Sequence, residues 1–364
     1  MMDWLTDLLG HEGLWEQLCR RRAEGVLPPV FLYGMGDGAD KALAVLGRLN
    51  IPVEGVFASD EFVRGQSFRG FPVKKYGEVR KQYPCFVALL CFAVDYEPML
   101  SRVTQIAEEA ELYVPDLPIA GLPDELFDRN YILEYQNEFN NVYCRLADEE
   151  SRRVFRGLMA GRLTGEVPSL RAVESSREAA WRELLHPCPE DCFLDLGAYN
   201  GDTIRDFLRL SGGSCRSIDA MEPDPKNYEK LLHSLGKLPN ARAWNIAAGS
   251  VPGVAYARRG RRGRGSGISA NGTIPIEINS VDNLLDGRFV TVAKLDVEGA
   301  EADALRGMER TIHACRPRMA VCAYHRNEDL FRLPGLVLEM EPSYRVYLRK
   351  HPYLPGWESV FYFV

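Results

Sequence analysis

Three groups of residues in this chain have the types and spacing to do chemistry. The first is Asp195-Leu-Gly197-Ala198-Tyr199-Asn200-Gly201-Asp202-Thr203, an acid closing a short apolar run and followed by two glycines four positions apart. Residues 192–196 read as a buried strand, Gly197 and Gly201 bracket a tight turn, and Asp202 or Thr203 can cap a helix over 204–210. Glycine suits a turn that needs positive φ and a ligand that must come close to the backbone. The spacing Asp-x-Gly-x-x-x-Gly differs from the Gly-x-Gly-x-x-Gly that leaves a helix N-terminus bare for a diphosphate. A carboxylate at the strand tip fits a ligand with a cationic end and no phosphate, although a strand-turn-helix that binds nothing would carry the same glycines. The second group is Glu222, which ends the next apolar run, 217–221, and lies 21 positions after Gly201. An acid at that distance from a glycine turn is placed to grip a ribose diol. A third run over 241–247 then brings Ile246 and Ala247 against an adenine, by position alone.

The third group sits on two later strand tips. Residues 292–295 lead into Asp296 and Glu298, and a following run leads into Tyr324 and His325. An alcohol is a poor nucleophile, and a histidine with an ordinary pKa of ~6.5 suits proton removal near neutrality. His325 is therefore the candidate base, and Asp296 either orients it or faces the ligand's charged end. The rival arrangement has Asp296, Glu298 and His325 jointly holding a divalent cation that lowers the hydroxyl's pKa; the leading assignment has no metal. His11, His186, His233, His313 and His351 lie off the strand tips and are given no chemistry.

The glycine turn resembles motif I of class I S-adenosylmethionine (SAM)-dependent methyltransferases. Lys294-Leu-Asp-Val-Glu-Gly-Ala-Glu301 is similar to the Lys-Ile-Asp-Val-Glu-Gly-x-Glu signature of FkbM-type methyltransferases. The Glu222-Pro-Asp-Pro turn, Ser280-Val-Asp-Asn-Leu and Ala323-Tyr-His-Arg-Asn-Glu-Asp-Leu-Phe331 match the same family, so that the resemblance covers roughly residues 190–364. It implies a Rossmann-like α/β sheet closed by an antiparallel hairpin, SAM as cofactor, and methylation of a hydroxyl on a sugar or other small molecule. Residues 344–348 and 359–364, aromatic and β-branched and joined by a proline-bearing loop, read independently as that hairpin.

The elements that must position these groups fall into three stretches, expected as an N-terminal Rossmann-like α/β domain over 1–122, a helical connector over 123–186 and the methyltransferase domain over 187–364. Residues 3–23 read as one amphipathic helix with Trp4, Leu8, Trp15 and Leu18 on its apolar face. The strand 30–33 feeds Gly34-x-Gly36-x-x-Ala39, a helix and a second strand that ends near Asp60. This first unit resembles the N-terminal domains of sugar-modifying enzymes such as bacterial sugar acetyltransferases, which implies nucleotide-sugar binding; a purely structural domain is the alternative. In the connector, Leu146, Phe155, Leu158, Met159 and Leu163 form a stripe to be buried. The one low-complexity stretch, 258–267, carries five arginines among glycines and suits an anionic acceptor, or else is a solvated hairpin tip.

Bulk properties exclude some classes. At 46% hydrophobic and 26% charged the chain is an ordinary globular composition, and its net charge of -7 gives no reason to expect nucleic acid as a partner. Nine cysteines, without a Cys-x-x-Cys, read as reduced thiols of a cytoplasmic protein; no apolar run is long enough for a membrane span and no leader is evident. The acceptor is expected to be a small molecule or glycoconjugate. The competing function, a nicotinamide- or nucleotide-sugar-binding oxidoreductase or epimerase, centres on Gly34 to Asp60, and no Tyr-x-x-x-Lys pair supports it. A non-catalytic module that only binds metabolites is the third. Sequence leaves the oligomeric state open.

Overall fold

The computed structural model describes residues 3–117, 119–120, 125–236, 238–257 and 274–364. The arginine-glycine stretch 258–267 lies outside the described residues.

Short runs with every side chain buried, such as Val30–Tyr33, Val87–Leu90 and Cys192–Leu196, are what a parallel sheet covered on both faces requires. They form two such sheets. The N-terminal sheet contains β1 (Val30–Tyr33), β2 (Val53–Ala58), β3 (Ser67–Phe68), β4 (Phe71–Lys75), β5 (Val87–Leu90) and β6 (Glu111–Tyr113) in the order β3-β4-β2-β1-β5-β6. All its pairs are parallel except the short β3–β4 pair.

The C-terminal sheet begins with β7 (Cys192–Leu196), β8 (Ser217–Met221) and β9 (Ala241–Trp244). A separate three-stranded sheet, in the order β10-β12-β11, intervenes in the chain: β10 (Ala247–Ala248), β11 (Gly253–Ala257) and β12 (Ile274–Asn279). The large sheet then resumes with β13 (Val292–Leu295), β14 (Arg318–Cys322), β15 (Val346–Lys350) and β16 (Ser359–Phe363), giving the order β15-β16-β14-β13-β7-β8-β9. The strands from β9 to β14 run parallel, and β16 enters antiparallel to both β14 and β15. This is the class I methyltransferase arrangement with its closing hairpin, as expected.

Several local expectations are corrected. The first helix is two, Asp3–Gly10 and Leu14–Ala23, because Gly13 turns extended and its N–H is taken by the Glu16 carboxylate. The helix after the C-terminal glycine turn starts at Asp202, with Gly201 in its cap position at φ +80 and no capping side chain. The third strand stops at Trp244: Asn245 turns its amide back to the carbonyls of Glu222 and Pro223, and residues 247–248 join the small sheet. After β13, where helical sequence runs from Glu301 to Cys315, two helices form, Glu301–Arg306 and Glu309–Cys315; between them Gly307 packs so closely on the Gly249 carbonyl that a Cβ there would overlap it.

Between the sheets lie the helices Arg129–Glu134, Gln136–Arg145, Glu149–Thr164, Val167–Arg171 and Arg177–Ala180, the last running into one π-helical turn. The predicted stripe is buried throughout. Its side chains share one continuous core with Phe31, Tyr33 and Leu100 of the N-terminal part and with Leu295, Met319 and Phe361 of the C-terminal sheet. A helical segment that buries apolar surface on both sides is a wedge and not a tether.

Candidate active site

The carboxyl ends of β7, β8, β13 and β14 lie side by side, which is where an open α/β sheet binds its ligands. Gly197 and Gly201 hold φ of +78 and +80, and Tyr199 between them holds +49, a conformation that a side chain rarely adopts. A Cβ on Gly197 would overlap the Asp296 carbonyl, so only glycine allows the β7 turn to lie against the β13 tip.

Asp195 is fully buried, and neither carboxylate oxygen has a hydrogen-bond partner among the described residues. Its neighbour is Lys294, whose ammonium stands 3.5 Å from Asp195 Oδ1 and 3.6 Å from Asp296 Oδ2 and donates to the Gly197 carbonyl at 3.0 Å. Burial pushes the Asp195 carboxyl up to about 6 although Lys294 opposes it. Burial works against the Lys294 charge too, but the two aspartates hold it above its ordinary value. Lys294 is a residue that the sequence reading left without a role.

Glu222 accepts the Tyr199 N–H at 2.8 Å on one oxygen and the Asp224 N–H at 2.8 Å on the other, which ties the β8 tip to the glycine turn. Each oxygen keeps a further lone pair for a diol. Burial lifts its carboxyl to about 7 against those two amides. Asn200 is held through its carbonyl by Ser234 Oγ at 2.8 Å, and Asp202 Oδ1 accepts the Thr203 N–H at 2.9 Å. Ala198 is buried. Of the expected adenine contacts, Ile246 is buried just past β9, whereas Ala247 packs into the small sheet with Ile276.

The acceptor end is built around His325. Its Nε2 lies 3.6 Å from Asp296 Oδ1 and 3.7 Å from Glu298 Oε2, and its Nδ1 lies 3.0 Å from Glu301 Oε1. The side chains of His325 and Glu301 are 2% and 0% exposed, against 27% for Asp296 and 41% for Glu298. Burial alone would lower the imidazole, but Glu301, Asp296 and Glu298 push it up to about 10. The ordinary pKa that motivated His325 as a neutral base is therefore not the one it has here: at rest it is an imidazolium among carboxylates. Burial likewise opposes the Asp296 charge, yet Lys294, His325 and the Tyr324 hydroxyl, donating at 3.0 Å, keep it below the usual range. Glu298 is raised by burial and sits at φ +55.

Glu301, also left without a role by the sequence, holds this corner in shape. Its Oε1 accepts the Val297 N–H at 2.8 Å, curling the β13 loop back toward His325. The β14 loop is fixed from the other side of the molecule: the His325 carbonyl accepts the Ala120 N–H at 2.9 Å, and Asn327 is bound by Arg162, itself paired with the buried Asp116 at 2.8 Å. The helical wedge and the segment leaving the N-terminal sheet thus form part of the wall.

The N-terminal glycine turn is different. A Cβ on Gly34 would strike the Phe92 ring and one on Gly38 would overlap the Cys91 carbonyl, so the β5 loop packs onto this turn. Asp60 is exposed and lines an open hollow of about 360 Å³ with Glu61, Tyr96, Pro98, Met99 and Arg102. Gly34 and Gly38 here serve packing, while Gly36 takes a positive φ with nothing pressed against it, and the oxidoreductase alternative is not favoured. No helix among the described residues is long and apolar enough to cross a membrane.

Comparison with known proteins agrees with this geometry. Residues 195–354 match the family model of the methyltransferase FkbM domain. No curated protein matches the chain. Among solved structures, the methyltransferase FkbM from Methylobacillus flagellatus KT is 18% identical, with 100% of this chain and 94% of that one covered at a TM-score of 0.69, and shares the fold. A precorrin-6y C5,15-methyltransferase from Geobacter metallireducens GS-15 is 11% identical over 51% of this chain and 85% of its own, and an rRNA methylase from Streptococcus thermophilus is 13% identical over 51% and 91%. Both superpose at a TM-score of only 0.33, too loosely to bear on this chain. The match to the methyltransferase FkbM domain begins at Asp195 and takes in Glu222, Lys294, Asp296, Glu301 and His325.

Proposed function

We propose that this methyltransferase moves a methyl group from SAM to a hydroxyl of a sugar or glycoconjugate, and that residues 187–364 are its catalytic domain, 123–186 the connector and 1–122 an accessory α/β domain. The observation that carries the reading is the convergence of Asp195, Glu222 and Asp296 on a glycine turn with no phosphate-binding character. The positive φ of Gly197 and Gly201, the partly open Asp296 beside the buried Asp195–Lys294 pair, and free lone pairs on Glu222 fit a ligand with a cationic end and a ribose diol. Bound there, SAM supplies an electrophilic methyl group on its sulfonium. In this reading Gly197, Ala198, Tyr199, Asn200, Gly201, Asp202 and Thr203 form the cradle, Glu222 takes the diol and Ile246 meets the adenine; Ala247 supports it from the small sheet.

Asp296, ionised and partly open, accepts the acceptor's hydroxyl hydrogen bond. His325, buried, is a positioning residue: its charge steadies Asp296 and Glu298 and keeps them turned inward. The hydroxyl proton passes to a carboxylate of this cluster and on to solvent as the oxygen–carbon bond forms and the carbon–sulfur bond breaks with its electron pair on sulfur. Holding the two reactants in line supplies several kcal/mol of the barrier reduction, and the base a further ~10²- to 10⁴-fold. Unpaired cysteines suit a cytoplasmic setting, and the arginines at 258–264 suit an anionic acceptor.

Thermal denaturation against SAM, its demethylated product, NAD and UDP-sugars tests this. A ligand at 100 times its Kd adds ~2.7 kcal/mol of stability. A shift with SAM or its product that is absent in Glu222→Ala is the expected outcome; a shift with only NAD or a UDP-sugar would move the function to the N-terminal part. Label from methyl-labelled SAM is then expected in glycosides and not in amines.

A further inference from the structure

Three carboxylates and one imidazole share the corner between the β13 and β14 tips, and their hydrogen bonds do not close. Glu301 and His325 are almost wholly buried, yet Nδ1 of His325 makes no aligned hydrogen bond to Glu301 Oε1 3.0 Å away, and Glu301 Oε2 has no partner among the described residues. Orphaned buried polar atoms are costly and point to a group that satisfies them. Asp296, Glu301 and His325 each present a ligand atom, all within 4.8 Å of one another, and Glu298 Oε2 stands 3.7 Å from Nε2. Ligands ~2.1 Å from a common ion and at right angles lie ~3.0 Å apart, a spacing the Nδ1–Oε1 pair already has and which the same pair held by a proton would share.

The corner is also short of positive charge. Lys294 reaches only Asp296 in this cluster, and Arg326 spends its Nε–H on the Gly299 carbonyl. Meanwhile the ligand atoms are held in advance: Glu298 by a left-handed backbone, Glu301 Oε1 by the Val297 N–H, and the His325 backbone by Ala120. We propose that Asp296, Glu301 and His325, with Glu298 as a fourth contact, bind one divalent cation of the manganese or magnesium kind, the oxygen-rich set with a single imidazole favouring manganese. The ion binds one ring nitrogen of His325 among these carboxylates. Its role rests on the methyl-transfer reading: it touches the acceptor oxygen and lowers the hydroxyl's pKa, and the released proton goes to Glu298, the most exposed member, and to solvent. The site itself does not depend on that reading.

The test is titration of the full, chelator-stripped chain with Mn²⁺, following loss of the free-ion electron paramagnetic resonance signal, with SAM binding read by thermal shift on the same samples. One Mn²⁺ per chain is expected, with a Kd below about 100 µM, weakened at least ~10-fold in His325→Gln and in Glu298→Gln. Glu298→Gln, at a partly open side chain, serves if the buried histidine variant does not fold. No stoichiometric binding to the unmodified chain, or equal binding in both variants, overturns the site. SAM binding without Mn²⁺ binding removes the cation and leaves methyl transfer; Mn²⁺ binding without SAM binding keeps the cation site and removes the methyl-transfer reading.

Discussion

The chain contains two glycine-bearing turns, each leaving the central region of a parallel sheet, and they come to opposite ends. After β1, Gly34 and Gly36 take positive φ just as Gly197 and Gly201 do after β7. In both turns a glycine is pressed by the loop of the neighbouring strand, Phe92 and Cys91 in one case and Asp296 in the other. The difference lies in what that neighbour carries. Beside β7 it is Lys294 and Asp296, with Glu222 on the far side; beside β1 it is an aromatic ring, with the exposed Asp60 on the far side and no acid at the β1 tip of Leu32 and Tyr33. A glycine motif therefore states that two backbones meet closely, and it is the charges on the adjoining strands that differ between these two turns.

Substitutions at corresponding acids would break this contrast most directly. Glu222→Ala should weaken SAM at least ~100-fold, because the residue both meets the ligand and ties Tyr199 to the β8 tip. Asp60→Ala at the N-terminal turn should leave SAM affinity and methyl transfer unchanged. Calorimetric titration of both variants measures the difference, and equal losses would show that the turns are equivalent. Lys294→Met is next in size. It leaves Asp195 buried beside no cation, at a cost of about 3–5 kcal/mol in urea denaturation, with methyl transfer lost. Retained stability would mean that Asp195 is neutral when the site is empty.

A pH series sharpens the same point. Burial raises Glu222 to about 7 from an ordinary 4.5. Its contribution to stability is thus fully present below about 4.5 and is lost as pH rises through about 7. Ligand affinity moves the other way, since only the carboxylate accepts hydrogen bonds from both diol hydroxyls. SAM affinity should improve up to ~10-fold per pH unit until about 7 and then level, and be flat in Glu222→Gln. A flat profile in the unaltered protein would remove Glu222 as the diol contact.

Much of this was legible in the sequence because it is local. The strand-turn-helix around Asp195, the acid at 222 and the tips at 296 and 325 are each set by a few consecutive residues, and the sheet order follows from βα units of ordinary length. Lys294 was legible in principle: a charge two residues before Asp296 in an apolar run lies on the same face of the strand. Glu301 was not, since its contact with His325 exists only because the loop curls at Glu298. Nor could spacing show that Arg162, Asp116 and Ala120 brace the β14 loop, or that histidine would be charged, because both depend on residues brought from far along the chain. The break after Trp244 turned on one asparagine amide choosing carbonyls across a turn.

The smallest effect is expected where the two turns differ by one ring. Phe92 is half-buried over Gly34 and stacks edge-on against Tyr33 at 4.9 Å. Phe92→Ala should cost about 1–2 kcal/mol, less than the ~3–5 kcal/mol of a fully buried phenylalanine, because solvent already reaches part of the ring. It would uncover Gly34 and leave Cys91 against Gly38. If glycine geometry were sufficient for binding, the variant should gain a thermal shift with NAD or a UDP-sugar. No gain is expected, because the exposed Asp60 is already present and removing the ring adds neither an acid at the β1 tip nor a lysine on β5. Ligand binding by Phe92→Ala would mean that the first turn is a covered site, and that occlusion rather than charge separates the two.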